Sequence, residues 1–185
     1  MRTFIAIELP EGIKDSIEGQ TEKLKVTATG LKWVTRDNLH ITLKFLGWVD
    51  EMKLKEIKKT VKKLGSRTSP FEIEVNSLGG FPSRHNPKIL WAGIGKGREE
   101  TEKFANELEE ELVESGFEKE AKKFHAHVTL CRTKEKGGSM ETKNFIKELS
   151  NYKFGSFWAN SISIIKSTLK PAGPIYETLE KIKLK

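Results

Sequence analysis

The chain alternates between two hydrophobic periods, two residues and three to four. Between Thr3 and Leu9, Phe4 and the isoleucines alternate with small or polar residues, the pattern of a strand, and Pro10 stops it. Ile13, Ile17 and Leu24 then follow helical spacing and predict a helix over residues 11–25. A polar stretch through Gly30 leads to a short extended piece at Lys32–Val34 and a strand over Leu39–Leu46 that ends at Gly47. Asp50 is a favourable N-cap for a second helix whose inner face carries Leu54, Ile57, Val61 and Leu64. Phe71, Ile73 and Val75 alternate with Glu72 and Glu74 as in a half-buried strand.

Gly79, Gly80, Pro82 and Pro87 predict a loop over residues 79–88, followed by a strand over Ile89–Ile94. Residues 98–115 read as an acidic helix with Phe104, Leu108 and Leu112 inward. A strand is expected over Phe124–Arg132, a loop over Lys134–Ser139, and a short helix around Phe145, Ile146 and Leu149. Residues 156–169 read as extended, and Tyr176–Lys185 as a last strand in which Leu179 breaks the alternation.

Each half thus reads strand, helix, strand, helix, strand. His40 lies 35 residues after Ile5 and Phe71 31 after His40; His127 lies 36 after Trp91 and Phe157 30 after His127. These offsets predict an internal duplication of two units rather than a solenoid, which needs more and shorter repeats. With no linker between them, residues 1–185 are expected as a single domain of two interleaved, pseudo-symmetric α+β lobes.

Composition adds four constraints. No apolar run is long enough to span a membrane, and the N-terminus lacks the features of a signal peptide. The lone cysteine, Cys131, has no internal partner, so the cytoplasm is the expected compartment. The net charge of +7 hides a segregation: residues 98–115 carry two basic and eight acidic side chains, a charge of −6, so the remainder carries +13. The acidic helix is expected away from any anion-binding cleft. Of the 33 basic residues 27 are Lys, of the 26 acids 23 are Glu, and Gln20 is the only glutamine, which is the balance of heat-adapted proteins.

The chemistry concentrates in one repeated tetrapeptide. His40-Ile41-Thr42-Leu43 and His127-Val128-Thr129-Leu130 use two of the four histidines at equivalent places in the two halves. In a strand His40 and Thr42 share a face, as do His127 and Thr129, while Ile41, Leu43, Val128 and Leu130 face the other way into a core. Two imidazoles across a cleft suit acid–base chemistry at neutral pH, and two hydroxyls suit hydrogen bonds to phosphoryl oxygens. Nothing in the sequence requires a metal or another cofactor. His125 shares the His127 face in a regular strand, yet H-A-H brings no third ligand for zinc. His85, in the SRHNP stretch, reads as solvated. Arg132, five residues past His127, falls on the opposite face unless a bulge intervenes. Most of Trp33, Trp48, Trp91 and Trp158 are expected in the core, with Trp48 the candidate for stacking on a base.

These pieces resemble the 2H phosphoesterase superfamily, in particular the RNA 2′,3′-cyclic phosphodiesterase (2′-5′ RNA ligase, LigT-like) family. The matching segments are Arg2-Thr3-Phe4-Ile5-Ala6-Ile7, HITLKFLG at 40–47, Gly80-Phe81-Pro82, and HVTLCR at 127–132. The resemblance implies a bilobal α+β fold with two antiparallel-rich sheets, flanking helices and a central cleft. It implies metal-independent opening of an RNA 2′,3′-cyclic phosphate to a 2′-phosphate, with His40 as proton donor and His127 as acceptor. Thr42, Thr129 and Arg132 match phosphate-binding residues, and His125 and Trp48 are further candidate substrate contacts. RNA ends, tRNA fragments among them, are the implied partners, with end joining or ATP or GTP binding in the same cleft, since no P-loop is present. Ala126 replaces the proline many relatives carry before the second histidine. A monomer suffices. The alternatives are a non-catalytic module of the same fold that binds RNA ends or nucleotides, and an enzyme acting on small nucleotide cyclic phosphates.

Overall fold

The computed structural model describes residues 1–133, 139–171 and 173–185. Nine strands and four α-helices follow in the order β1 (Arg2–Glu8), α1 (Glu11–Thr27), β2 (Leu31–Trp33), β3 (His40–Trp48), α2 (Glu51–Gly65), β4 (Phe71–Pro82), β5 (Pro87–Ile94), α3 (Arg98–Glu114), β6 (His127–Thr133), α4 (Met140–Glu148), β7 (Lys153–Ala159), β8 (Ser161–Lys170) and β9 (Gly173–Lys183). The strands run β7-β4-β5-β6-β3-β1-β8-β9, with β2 beside β6. All pairings are antiparallel, and the two expected sheets are halves of one path joined where Ile41 of β3 meets Val128 of β6.

The helices form for the reasons their sequences suggest. Asp50 caps α2 by accepting a hydrogen bond from the Lys53 amide at 2.8 Å. Ile57, Val61 and Leu64 of α2, and Phe104, Leu108 and Leu112 of α3, are buried in the main core. α2 and α3 pack on each other and on the β3-β1-β8-β9 half; α1 and α4 pack on the β7 and β4 side. The lysine-rich face of α2 meets the acidic α3: Lys63 pairs with Glu111 at 2.7 Å, and Arg67 with Glu107 at 3.3 Å. That pairing, on the helical side of the sheet, accounts for the segregated charge.

Several elements differ from the sequence reading. The stretch 79–88 is a hairpin rather than a loop, with β4 reaching Pro82 and β5 starting at Pro87. Its glycines are strand residues because side chains cross them: a Cβ on Gly79 would stand 2.1 Å from the Trp91 ring. β6 begins at His127, not Phe124, because the β5 ladder that supports it starts at the Gly93–His127 pair. Residues 156–169 divide at Asn160 into β7 and β8, which lie in different halves of the sheet. Leu179 breaks the alternation of β9 because it is the extra residue of a bulge, Ile164 pairing with Glu180 and Ile165 with Thr178. Except for Ser139, the loop expected over 134–139 lies outside the described residues.

The duplication also closes differently. β4 and β7, which the offsets match as third strands of the two units, lie side by side with Ile73 against Phe157. The chain crosses to the other half after α2 and crosses back between β7 and β8, so β8 beside β1 occupies the place that β4 occupies beside β5. Most of the tryptophans are not core residues: Trp48 and Trp158 are exposed and Trp91 half-buried, while Trp33 is half-buried and packs against the main core. The residues of the inner strands that face the helices are the core, and their other face carries the site.

Candidate active site

The two H-x-T-L segments meet at the join of the sheet. Ile41 and Val128 are fully buried partners. Stepping one residue either way along an antiparallel pair sets His40 across from Thr129 and Thr42 across from His127, with opposed Cβ atoms about 5 Å apart. The four side chains thus share the face away from the helices, the two imidazoles on one diagonal and the two hydroxyls on the other. This is the local twofold relation expected from the repeat. Leu43 and Leu130 point into the core, as the alternation requires.

The two strands also share a defect. In β3, Ile5 pairs with Lys44 and Ala6 with Thr42, leaving Leu43 extra; in β6, Leu90 pairs with Cys131 and Trp91 with Thr129, leaving Leu130 extra. Two consecutive residues are buried at each bulge, Leu43 with Lys44 and Leu130 with Cys131. The alternation then resumes in the opposite phase. Arg132 is thereby turned to the face of His127 and Thr129, and Phe45, its counterpart in β3, to the face of His40 and Thr42. A cleft of about 290 Å³ is lined by His40, Thr42, Thr129, Arg132, Phe45 and Tyr176, among others. Lys32 lines it as well; no carboxylate does among the described residues, and α3 contributes nothing to it.

Each histidine is held the same way. His40 Nδ1 lies 2.6 Å from the Asn38 carbonyl and His127 Nδ1 2.7 Å from the His125 carbonyl. In each case Nδ1–H donates to the carbonyl, which leaves Nε2 as the working atom in the neutral tautomer. His40 Nε2 is 2.8 Å from Thr42 Oγ1. The His40 ring packs against Phe4 at 4.8 Å and Tyr176 at 5.5 Å; the His127 ring meets Phe81 at 5.1 Å and Trp91 at 6.3 Å, both edge-on. The Trp91 indole N–H is buried without a hydrogen-bond partner among the described residues.

The electrostatic surroundings of the two rings differ. Burial pulls both imidazoles below the ordinary value of 6.5. The Asn38 carbonyl bond counters this at His40 and the His125 carbonyl bond at His127. Glu8, the β1 partner of His40, raises its basicity further, while the charge of His127 lowers it. The matching β5 partner of His127 is Gly93, and any positive charge on His125, with that of Arg132, lowers His127 instead. The Glu8 carboxylate is held in place by the Ser163 hydroxyl, by Thr178 Oγ1 at 3.4 Å and by Lys181 at 3.7 Å. Next to Gly93 the corresponding space belongs to a neutral group, the Ser77 hydroxyl.

Of the residues singled out in the sequence, His40, Thr42, Thr129 and Arg132 line one cleft, and His127 stands beside it on the same strand face. His125 precedes β6, exposed, and reaches the site through its carbonyl. Trp48 lies further along β3. His85 is exposed at the tip of the β4–β5 turn. Cys131 is buried, which pushes its thiol up to about 12 and leaves it inert. The sequence reading missed Glu8, Phe45, Asn38 and Tyr176. Of these, only Phe45 had a local signal: it stands five residues after its histidine, as Arg132 does.

The LigT like phosphoesterase family model matches residues 7–91 and again 94–176. The chain is 38% identical over 181 residues to the RNA 2′,3′-cyclic phosphodiesterase of Methanocaldococcus jannaschii, covering 98% of this chain and 99% of the relative. It is 34% identical to the protein of that name from Methanothermobacter thermautotrophicus, covering 100% and 99%. Among solved structures, a Thermus thermophilus protein superposes with a TM-score of 0.82 at 29% identity, covering 100% and 98%. Escherichia coli LigT complexed with 3′-AMP superposes with a TM-score of 0.82 at 24% identity, covering 99% and 97%, which shows the same fold. The thermophile-like composition accords with the thermophilic sources of the Methanocaldococcus, Methanothermobacter and Thermus relatives.

Proposed function

This chain belongs to the LigT like phosphoesterase family, and from that membership we propose that it hydrolyses RNA 2′,3′-cyclic phosphate ends to 2′-phosphates at the His40–His127 centre, acting as one domain. The observation that supports the reading is the crossed pairing of the two H-x-T segments, which sets His40 and His127 on one strand face, His40 lining the cleft and His127 beside it. His127 Nε2 takes a proton from water as its oxygen bonds to phosphorus. The bond from phosphorus to the 3′ oxygen breaks, and His40 Nε2–H protonates that oxygen. The 2′ ester bond stays intact, and the proton gained by His127 and lost by His40 is rebalanced through solvent.

The asymmetry of charge supports this division of labour. Glu8 favours the protonated form of His40, as an acid needs, and the Arg132 charge near His127 favours its neutral form, as a base needs. When His40 is protonated its Nε2–H donates to Thr42 Oγ1, which frees the Thr42 proton for a non-bridging phosphoryl oxygen. Thr129 serves the other oxygen and Arg132 adds a fixed positive charge. His125 contributes its carbonyl to the orientation of His127. No step requires a metal. With a ribose 5′-hydroxyl in place of water the same displacement yields a 2′-5′ linkage, and a nucleotide such as ATP or GTP would enter through this cleft. The lone buried thiol suits a reducing compartment, and the reading places the enzyme in the cytoplasm, as a monomer, on RNA ends such as those of tRNA fragments.

The test is incubation of a short RNA bearing a 2′,3′-cyclic phosphate in the presence of EDTA. A 2′-phosphate product is expected, with kcat reduced about a thousandfold in His40→Ala and in His127→Ala. A 3′-phosphate product, or full activity in either variant, overturns the mechanism. Tight capture of the RNA without turnover by the wild type favours the binding-module reading instead.

A further inference from the structure

β3 carries a second bulge. Phe4 pairs with Phe45 and Thr3 with Gly47, which leaves Leu46 extra, and Gly47 takes a φ of 68° that suits glycine. The phase of the strand therefore reverses again, and Trp48 returns to the face that Phe45 occupies. The register fixes this independently: Trp48 pairs with Arg2, Arg2 with Ser167 and Ser167 with Tyr176, and Tyr176 lines the cleft. Residues opposite each other in an antiparallel sheet project to one side. His40, Thr42, Phe45 and Trp48 accordingly form one file running outward from the reacting centre. Phe45 is 61% exposed and Trp48 79% exposed, and they are the two outermost members of the file.

Phe45 lines both the catalytic cleft and an adjoining depression of about 440 Å³ that Trp48 also lines. The depression mixes Lys53 and Lys119 with Glu118 and Glu120, so it offers no strong field of its own. What it offers is ring faces, with the guanidinium of Arg2 beside Trp48 in the neighbouring strand. The corresponding position of the other half, Arg132, presents a cation. One arm of the twofold site thus ends in charge and the other in aromatic surface.

We propose that Phe45 and Trp48 form a stacking ledge for single-stranded RNA, Phe45 under the terminal base and Trp48 under the base that precedes it. The phosphate between these nucleotides lies toward Arg2. The two ring positions sit opposite Phe4 and Arg2, two residues apart on β1 and so about 7 Å apart, a step that one flat base bridges. Base stacking on an aromatic face is tolerant of sequence, so the ledge confers a preference for an oligonucleotide over a mononucleotide rather than for particular bases. The proposal rests on the reading that this cleft takes an RNA end.

The experiment compares kcat/KM for a nucleoside 2′,3′-cyclic monophosphate and for a tetranucleotide ending in the same group. In the wild type the tetranucleotide is favoured; in Trp48→Ala the ratio of the two falls about tenfold. Trp48→Phe retains most of it, and the salt dependence of the ratio is unchanged, because no phosphate contact has been removed. An unaltered ratio in Trp48→Ala overturns the ledge while leaving the hydrolysis intact. Intrinsic tryptophan fluorescence titrated with the tetranucleotide separates the two readings. If the wild type hydrolyses neither substrate, a quench that disappears in Trp48→Ala still supports the ledge, and a quench that persists unchanged overturns it.

Discussion

Replacing Glu8 by Gln removes a charge and almost no volume, and tests how the two histidines are told apart. Glu8 and His40 are direct cross-strand partners with opposed Cβ atoms about 5 Å apart, and the charge centres beyond them are taken as about 7 Å apart. At an effective dielectric of about 20 the attraction of a carboxylate for an imidazolium at that distance is about 2.4 kcal/mol. Solvent reaches the Glu8 side chain, which is 37% exposed, and Lys181 stands 3.7 Å from it. Both weaken the effect, to about 0.7–1.4 kcal/mol, or about half to one pH unit. The other groups near His40 are unchanged by the substitution: His127 and Arg132 from β6, Lys32 from β2 and Tyr176 from β9.

The sign follows from the chemistry. Burial already holds His40 below 6.5 and Glu8 acts against it, so the variant titrates lower still. An acid catalyst loses activity as pH rises through its pKa. The basic limb of kcat/KM should therefore move down by about half to one unit, and the acidic limb, set by deprotonation of His127, should stay in place. The assay is the pH–rate profile on an RNA 2′,3′-cyclic phosphate, with an NMR titration of the histidine Cε1 protons to assign each limb, because two interacting imidazoles titrate as a pair. Movement of the acidic limb with the basic limb fixed would mean that the roles are reversed. A profile unmoved on both sides would remove Glu8 from the argument.

Two further outcomes follow from particular contacts. Thr42→Val and Thr129→Val each remove a donor to phosphoryl oxygen and should lower kcat by about a hundredfold; Thr42→Val should in addition alter the His40 titration, because its Nε2 loses the 2.8 Å bond to Thr42, whereas Thr129→Val should not. Lys44, at the β3 bulge, is 4% exposed and bonds Glu109 at 2.7 Å and the Glu118 carbonyl at 3.0 Å. Lys44→Met leaves that carboxylate with only the Glu120 amide as a hydrogen-bond donor among the described residues, so a loss of about 2–3 kcal/mol in denaturant unfolding is expected, part of it recovered when Glu109→Leu is added; an additive double variant would refute the coupling.

The strands and helices were legible where their burial is one-sided. The helical spacing of Ile57, Val61 and Leu64 and the alternation of Phe71, Ile73 and Val75 each depend on a single face seeing the core, and local periodicity records that. The glycines and prolines of 79–88 misled because their usual role is punctuation. Here Gly79 lies in a strand because the Trp91 ring, twelve residues away in sequence, occupies the place of its side chain. Phe124–Ala126 continue the apolar pattern of β6 but have no ladder partner, and pairing is a property of two segments rather than one.

The same division runs through the site. His40, Thr42, His127 and Thr129 were determined by the sequence itself, since a repeated tetrapeptide in a strand fixes both the residue types and their common face. Arg132, Phe45 and Trp48 were decided by the tertiary structure. A bulge shifts every later side chain to the other face, and it arises from mismatch with the neighbouring strand, which leaves no period to read. Glu8 was decided there too: it lies 32 residues from His40 in the chain, and only the β1–β3 register makes it a neighbour. Two copies of one motif give two equivalent histidines, and it takes the unequal neighbours Glu8 and Gly93, brought in by long-range pairing, to set the proposed acid apart from the proposed base.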